Sequence, residues 1–193
     1  MSDVAISYTV HVFAVAGSLR KDSFNKKLLR AAIELVPPGM MIHQFDGLGD
    51  IPPYNADLDV DPRPEPVRAL KQILAACDGL LIATPEYNYG IPGLLKNAID
   101  WASRPPATSP LLGKVALLMG AATGMVGTAR AQQQLRQNFV FTKTVVIPQP
   151  EILIAKAAEK FDSEGRLIDD MAKQIIAERL KALGEWIYKL RAR

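Results

Sequence analysis

The stretch GLLIATPEYNYGIPGLLKNAIDWASR, residues 79–104, decides the fold. Residues 79–84 are a short continuous apolar run, the pattern of a strand buried on both faces. Residues 92–103 read as a helix, and a stiff turn bracketed by Pro85 and Pro92 joins the two. The same alternation continues outward in both directions. Upstream, Val10–Ala16 reads as a strand, 25–36 as a helix stopped by Pro37, Pro38 and Gly39, and 40–45 as a second strand. A long loop at 46–64, rich in Pro, Asp and Gly, then leads into Glu65–Ala76. There Val67, Leu70, Ile73 and Leu74 recur at helical spacing. Downstream come a buried strand at 114–119, a helix at 128–139 and a short fifth strand at 144–147. Ile168, Met171, Ile175, Leu180, Leu183, Ile187 and Leu190 then mark one long amphipathic helix. Five continuous apolar strands alternating with helices predict an α/β protein, a five-stranded parallel sheet between two helical layers. The absence of a repeat or linker predicts one domain over residues 1–193.

Composition narrows the function. The chain of 193 residues is 49% apolar and 22% charged, ordinary for a globular protein. A net charge of +3 favours anionic ligands such as nucleotides but leaves no nucleic-acid footprint. The basic residues near the C-terminus alternate with an apolar stripe and read as a solvated helix face. Met1-Ser2-Asp3 carries no basic segment ahead of an apolar one, and no apolar run is long enough to span a bilayer. The single cysteine, Cys77, lies in an apolar run, and a reducing cytoplasm fits it.

In a parallel α/β sheet, ligands bind beyond the carboxyl ends of the strands, where the strand order reverses. Three loops therefore matter. The first, GSLRKDSFN at 17–25, offers hydroxyl and amide groups where a helix begins, and Arg20 adds a charged fork. Free N–H groups and the positive helix end suit one dianionic phosphate. The competing reading makes Ser23 or Asn25 a helix cap and leaves Arg20 and Lys21 solvated. The loop is neither G-x-x-x-x-G-K-[ST] nor G-x-G-x-x-G, which argues against an ATPase and a separate dinucleotide site. The second loop sets Tyr87 and Tyr89 beside a proline-stiffened backbone, which suits a flat heteroaromatic ring; local tyrosine packing is the alternative. The third, 120–127, is built of small residues that permit close backbone approach, or simply a tight turn.

Taken together, GSLRKDSFN at 17–25, TPEYNYGIPGLLKNAIDWASR at 84–104 and GMVGTARAQQQLRQ at 124–137 resemble the NADPH-dependent FMN reductase family, and its chromate and quinone reductase branch most closely. The resemblance covers nearly the whole chain. It implies a flavodoxin-like fold holding FMN non-covalently, with NADPH or NADH as hydride donor. It maps the FMN phosphate onto Ser18, Leu19, Arg20, Ser23, Phe24 and Asn25. It maps the ring onto Pro85, Glu86, Tyr87 and Asn88, and the ring's pyrimidine side onto the backbone at Ala122. Relatives often carry serine near that last position, so alanine leaves only a backbone contact there. The resemblance also implies a homodimer or homotetramer, with the helix after Pro92 in the contact region. The length of the loop 46–64, and apolar Ile91, Leu94, Leu95 and Trp101 in excess of what one helix face against a sheet requires, place part of 91–101 and that loop at the contact.

No Ser/His/Asp, Cys/His or paired-carboxylate arrangement is evident, and His11 and His43 read as structural, so neither a catalytic side chain nor a metal site is expected. That suits an enzyme whose cofactor carries the chemistry. The expected reaction is a ping-pong, two-electron reduction of a small-molecule acceptor. Quinones, chromate, azo and nitro compounds and free flavin all lie within reach of an open ring face. Three other readings fit less well. A flavodoxin-type electron carrier lacks its T-G-x-T loop and acidic surface here. A receiver module would need acidic residues where Gly17-Ser18 and Thr84-Pro85 stand. A flavin-free scaffold has no use for Arg20 or the tyrosine turn.

Overall fold

A computed structural model describes residues 9–191; the reading of Met1-Ser2-Asp3 lies outside them. Its centre is a parallel sheet in the order β2-β1-β3-β4-β5, with a sixth strand also on β4. The strands are β1 (Val10–Ala16), β2 (Met40–Gln44), β3 (Gly79–Ala83), β4 (Val115–Ala121), β5 (Val145–Val146) and β6 (Ile152–Ile154). The helices are α1 (Phe24–Glu34), α2 (Glu65–Ala76), α3 (Gly93–Ala102), α4 (Ala129–Val140) and α5 (Asp170–Arg191). β1 and α2 span the residues that the apolar pattern marks, and the other elements shared with that reading shift by at most a few residues at an end.

Alternation along the strands divides the interior in two. In β1, Val10, Val12 and Ala14 pack beneath α1 and α5, together with Leu28, Ile176, Leu180 and Leu183. Phe13 and Val15 point the other way, toward α2, α3 and α4, meeting Leu70, Leu74, Leu95, Trp101, Leu135 and Phe139. Successive side chains on a strand face opposite ways, so a sheet covered on both sides must be apolar at every position. Every residue of β3 and of β4 is buried, as that requires. Cys77 belongs to the second core, and burial pushes its thiol up to about 11, a poor nucleophile at neutral pH.

Two expectations need correction. The fifth strand is not one run at 144–147. β5 pairs with Val115 and Ala116 of β4, the chain leaves the ladder through Pro148-Gln149-Pro150, and β6 rejoins it against Met119, Gly120 and Ala121. A proline has no N–H for the ladder, so two prolines split one lane of the sheet into two short strands. The loop 46–64 is also less open than its composition suggests. Asn97 accepts the N–H of Tyr54 at 2.7 Å and donates to Pro52 O at 2.9 Å, and Trp101 Nε1 donates to the same carbonyl at 2.8 Å. The Tyr54 ring meets Trp101 edge-on at 5.0 Å. Leu95 and Trp101, whose excess of apolar surface suggested a contact between copies, are spent within the chain, and Trp101 is 0% exposed. His11 and His43 lie side by side, with Nδ1 of one 2.8 Å from Nε2 of the other.

Candidate flavin site

The carboxyl ends of β1, β3 and β4 bring the three loops together. Glycines set the spacing between them. A methyl group at Gly17 would lie 3.2 Å from Leu95 and 3.3 Å from Pro85, so glycine lets the first loop close against the second. At Gly120 it would lie 1.8 Å from Thr128 Oγ1 and 2.5 Å from Thr84 O. Any side chain there would force the second and third loops apart. Gly17 N–H and Thr84 N–H donate to Ala83 O and Met119 O at 2.8 and 2.9 Å, which ties each loop root to the neighbouring strand.

In the first loop, Ser23 caps α1, its hydroxyl accepting from Asn25 N–H at 3.2 Å. Ser18 is buried, and its hydroxyl accepts from Arg20 N–H at 3.4 Å. Asn25 does something its position in the motif does not reveal. Its amide donates to Ala121 O at 2.9 Å and accepts from Ala121 N–H at 3.0 Å. Both ends of the side chain are thus spent on joining α1 to the end of β4. Leu19 is exposed and lies against Gly49. Phe24 is half-buried against Phe161, with ring centroids 5.7 Å apart. Among the described residues, the N–H groups of Ser18, Leu19 and Phe24 have no protein acceptor, and the exposed Arg20 guanidinium has no ion-pair partner. Those are donors held open where α1 begins. Close by, the hydrogen bond and charge of Lys27, 2.5 Å away, hold the Asp22 carboxyl below its ordinary range. A groove of about 700 Å³ continues from this loop along α1 and past Phe45.

In the second loop, Pro85 is buried while Tyr87 and Asn88 are exposed. Tyr87 and Gly90 exchange backbone hydrogen bonds of 2.9 and 3.0 Å. Asn88 and Tyr89 between them have φ of 49° and 69°. Two successive positive φ values in such a turn are the geometry of a tight I′ hairpin. The Glu86 carboxylate turns toward α4 and accepts from Arg130 N–H at 3.0 Å and Ala131 N–H at 3.1 Å.

In the third loop, Ala122 donates its N–H to Ile154 O and accepts from Ala157 N–H, each at 3.0 Å. Both backbone groups of Ala122 are therefore occupied by the chain beyond β6. The N–H groups of the exposed Thr123, Gly124, Met125 and Val126 have no protein acceptor among the described residues. The loop was legible in the sequence, but Arg130 and Gln134 of α4 were passed over, although their i, i+4 spacing on a helix was a legible sign of one shared face. No group of three His, Cys, Asp or Glu among the described residues could hold a metal ion.

Strand order, with open donors beside the switch between β1 and β3, defines a flavodoxin-like α/β protein. Residues 10–159 match the model of the NADPH-dependent FMN reductases, and the chain belongs to that family. It is 47% identical over 186 residues to an NAD(P)H-dependent FMN reductase of Pseudomonas aeruginosa, covering 96% of this chain and 100% of that protein. It is 38% identical over 188 residues to a quinone reductase of Escherichia coli, with 96% and 100% covered. Among solved structures, FerB of Paracoccus denitrificans, a flavoenzyme NAD(P)H:(acceptor) oxidoreductase, superposes with a TM-score of 0.85 at 37% identity. That match covers 94% of this chain and 98% of FerB.

Proposed function

We propose that this chain is an FMN-dependent NAD(P)H oxidoreductase that reduces quinones in two-electron steps. The observation that carries this reading is the set of open donors at three adjacent strand ends. One cluster suits a single phosphate, another the edge of a flat ring. The residues fit FMN: Arg20 and the N–H groups of Ser18, Leu19 and Phe24 would hold the phosphate. The turn 85–89 would lie along the ring, and the N–H groups of 123–126 would face its pyrimidine side. When bound, FMN supplies the transfer of two electrons between nicotinamide and acceptor. The chain's own part is to bind, orient and shield. Buried Pro85 and the Tyr87–Gly90 turn give the ring a stiff wall, and donors held open before the ligand arrives need no reorganisation.

Asn25 supports the site by building the loop, since the bridge to Ala121 takes up its side chain, while Ser23 caps α1 and keeps its O–H free to donate to the phosphate. The curated relatives include a 2-hydroxy-1,4-benzoquinone reductase from Burkholderia, 40% identical over 176 residues, and this supports a quinone as acceptor. Chromate, azo and nitro compounds and free flavin belong in the same acceptor panel. The cytoplasm is the compartment that a lone buried cysteine supports. No helix of the described residues is long and apolar enough to cross a membrane.

The deciding experiment is chromatography of the flavin released by heating the purified protein. FMN at about one per chain is expected, and FAD or no flavin would overturn the reading. Anaerobic reduction of the bound FMN by NADPH and by NADH, followed by mixing with each acceptor, then ranks donors and acceptors. One face serving both in turn predicts parallel initial-rate lines.

A further inference from the structure

We propose that Glu86 is the positioning residue of the flavin slot, and that its carboxylate balances the positive charge which α4 and Arg130 present there. The proposal rests on the FMN reading above and asks what fixes the gap between the second and third loops. Helix α4 begins with N–H groups that lack intrahelical partners, and Thr128, at its cap position, makes no side-chain cap bond. Glu86 supplies the cap from the other loop. One carboxylate oxygen accepts from the N–H groups of Arg130 and Ala131, and the other pairs with the Arg130 guanidinium at 3.0 Å. One turn further along α4, Gln134 Oε1 accepts from Ile91 N–H at 2.7 Å. A methyl group at Gly90 would lie 2.6 Å from that same oxygen, so the turn sits tightly on the helix. Both ends of the segment 86–91 are thus pinned to α4.

The tip between those pins needs holding. Asn88 and Tyr89 both occupy the left-handed region, which side chains of L-residues rarely adopt. Such a conformation persists where its surroundings over-determine it. The Arg130 guanidinium lies 4.0 Å from the Tyr89 ring centre and completes the clamp. Glu86, Arg130 and the turn therefore move as one unit with α4.

The charges have a separate consequence. The start of α4 carries a partial positive charge, directly after the loop whose open N–H groups face the ligand. Glu86, with its side chain 11% exposed, offsets both that charge and Arg130. Removing the carboxylate leaves the slot more positive, and removing the guanidinium leaves it more negative. A purely mechanical clamp would show no such opposition of sign.

The test compares wild type, Glu86→Gln, Glu86→Ala and Arg130→Gln as holoproteins. The readouts are the midpoint potential of bound FMN, the Kd for oxidised FMN and far-ultraviolet circular dichroism. Glu86→Gln keeps a neutral cap and should raise the potential. Arg130→Gln keeps the backbone cap and should lower it. Each shift should correspond to about a threefold change in the preference for reduced over oxidised FMN. Glu86→Ala also loses the cap and should weaken FMN binding about tenfold, more than Glu86→Gln does. Shifts of the same sign, or no shift with FMN bound and the fold intact, overturn the assignment. Should Glu86→Gln lose its flavin, the direction of the Arg130→Gln shift decides, down for the proposal and unchanged or up against it. Wild-type protein without FMN would instead defeat the reading on which the proposal rests.

Discussion

Side chains that a motif groups together do different work here. Arg20 and Asn25 belong to one nine-residue stretch and were both placed at the phosphate. Arg20 ends in solvent with no ion-pair partner among the described residues, whereas Asn25 is buried and spent on the backbone of Ala121. Their alanine variants should therefore separate. Arg20→Ala should weaken FMN roughly 10- to 100-fold by losing charge-assisted hydrogen bonds, with the thermal midpoint of flavin-free protein unchanged. Asn25→Ala removes two buried hydrogen bonds and should cost about 2 kcal/mol of stability even without flavin. FMN titration checks the first, and urea unfolding of the flavin-free proteins compares their stabilities. Equal loss of stability in the two variants would show the division to be false. The residue types in this loop were legible as a phosphate cradle or a helix cap. Which side chain does which was not, because Ala121 lies 96 residues away in sequence.

At the scale of elements, most boundaries follow local rules. Helix α1 starts at a serine cap and stops ahead of Pro37-Pro38, and α2 starts at Pro64-Glu65-Pro66. The start of α5 depends on Asp169. Its carboxylate accepts from Ala172 N–H at 2.8 Å and pairs with Lys160, and the Lys160 hydrogen bond, reinforced by that N–H, holds the carboxyl below its ordinary range. A carboxyl depressed in the folded state adds stability that is present above its unfolded value and is lost as pH falls through its folded value. Asp169→Ala should thus cost about 1 kcal/mol at pH 7. The gap from wild type should narrow as pH drops below the ordinary carboxylate range. Denaturant midpoints at neutral and acid pH measure this, and a gap that ignores pH would remove Lys160 from the account. β6 was missed for a related reason. Pro148 and Pro150 mark a loop locally, while the ladder of β4, free beyond Ala116, recruits Ile152–Ile154.

For the molecule as a whole, the question is what covers the site. We propose a homodimer or homotetramer whose contact keeps the loop 46–64 but not the buried Leu95 and Trp101. Tyr89 and Met125, each 72% exposed, stand at the tips of the second and third loops. Leu58 and Val60 remain exposed on the long loop. Light scattering at micromolar concentration should show a dimer or tetramer, and Tyr89→Ser with Met125→Ser should shift it toward monomer at least tenfold in Kd, since buried aromatic anchors dominate interface energies. A monomeric wild type would end this reading.

The sequence by itself determined the layers, the parallel sheet and the three loops that matter. Those depend on hydrophobic period and on turn chemistry, which are local. It also carried the family, since long stretches such as 84–104 keep their residue types together. Tertiary structure alone decided that Asn25 bridges to β4, that Ala122 gives its N–H to Ile154, and that Glu86 faces α4. Each of those is a hydrogen bond between groups more than thirty residues apart in the chain. A buried donor or acceptor takes whichever partner the packed strands bring within about 3 Å, and no local pattern encodes that choice.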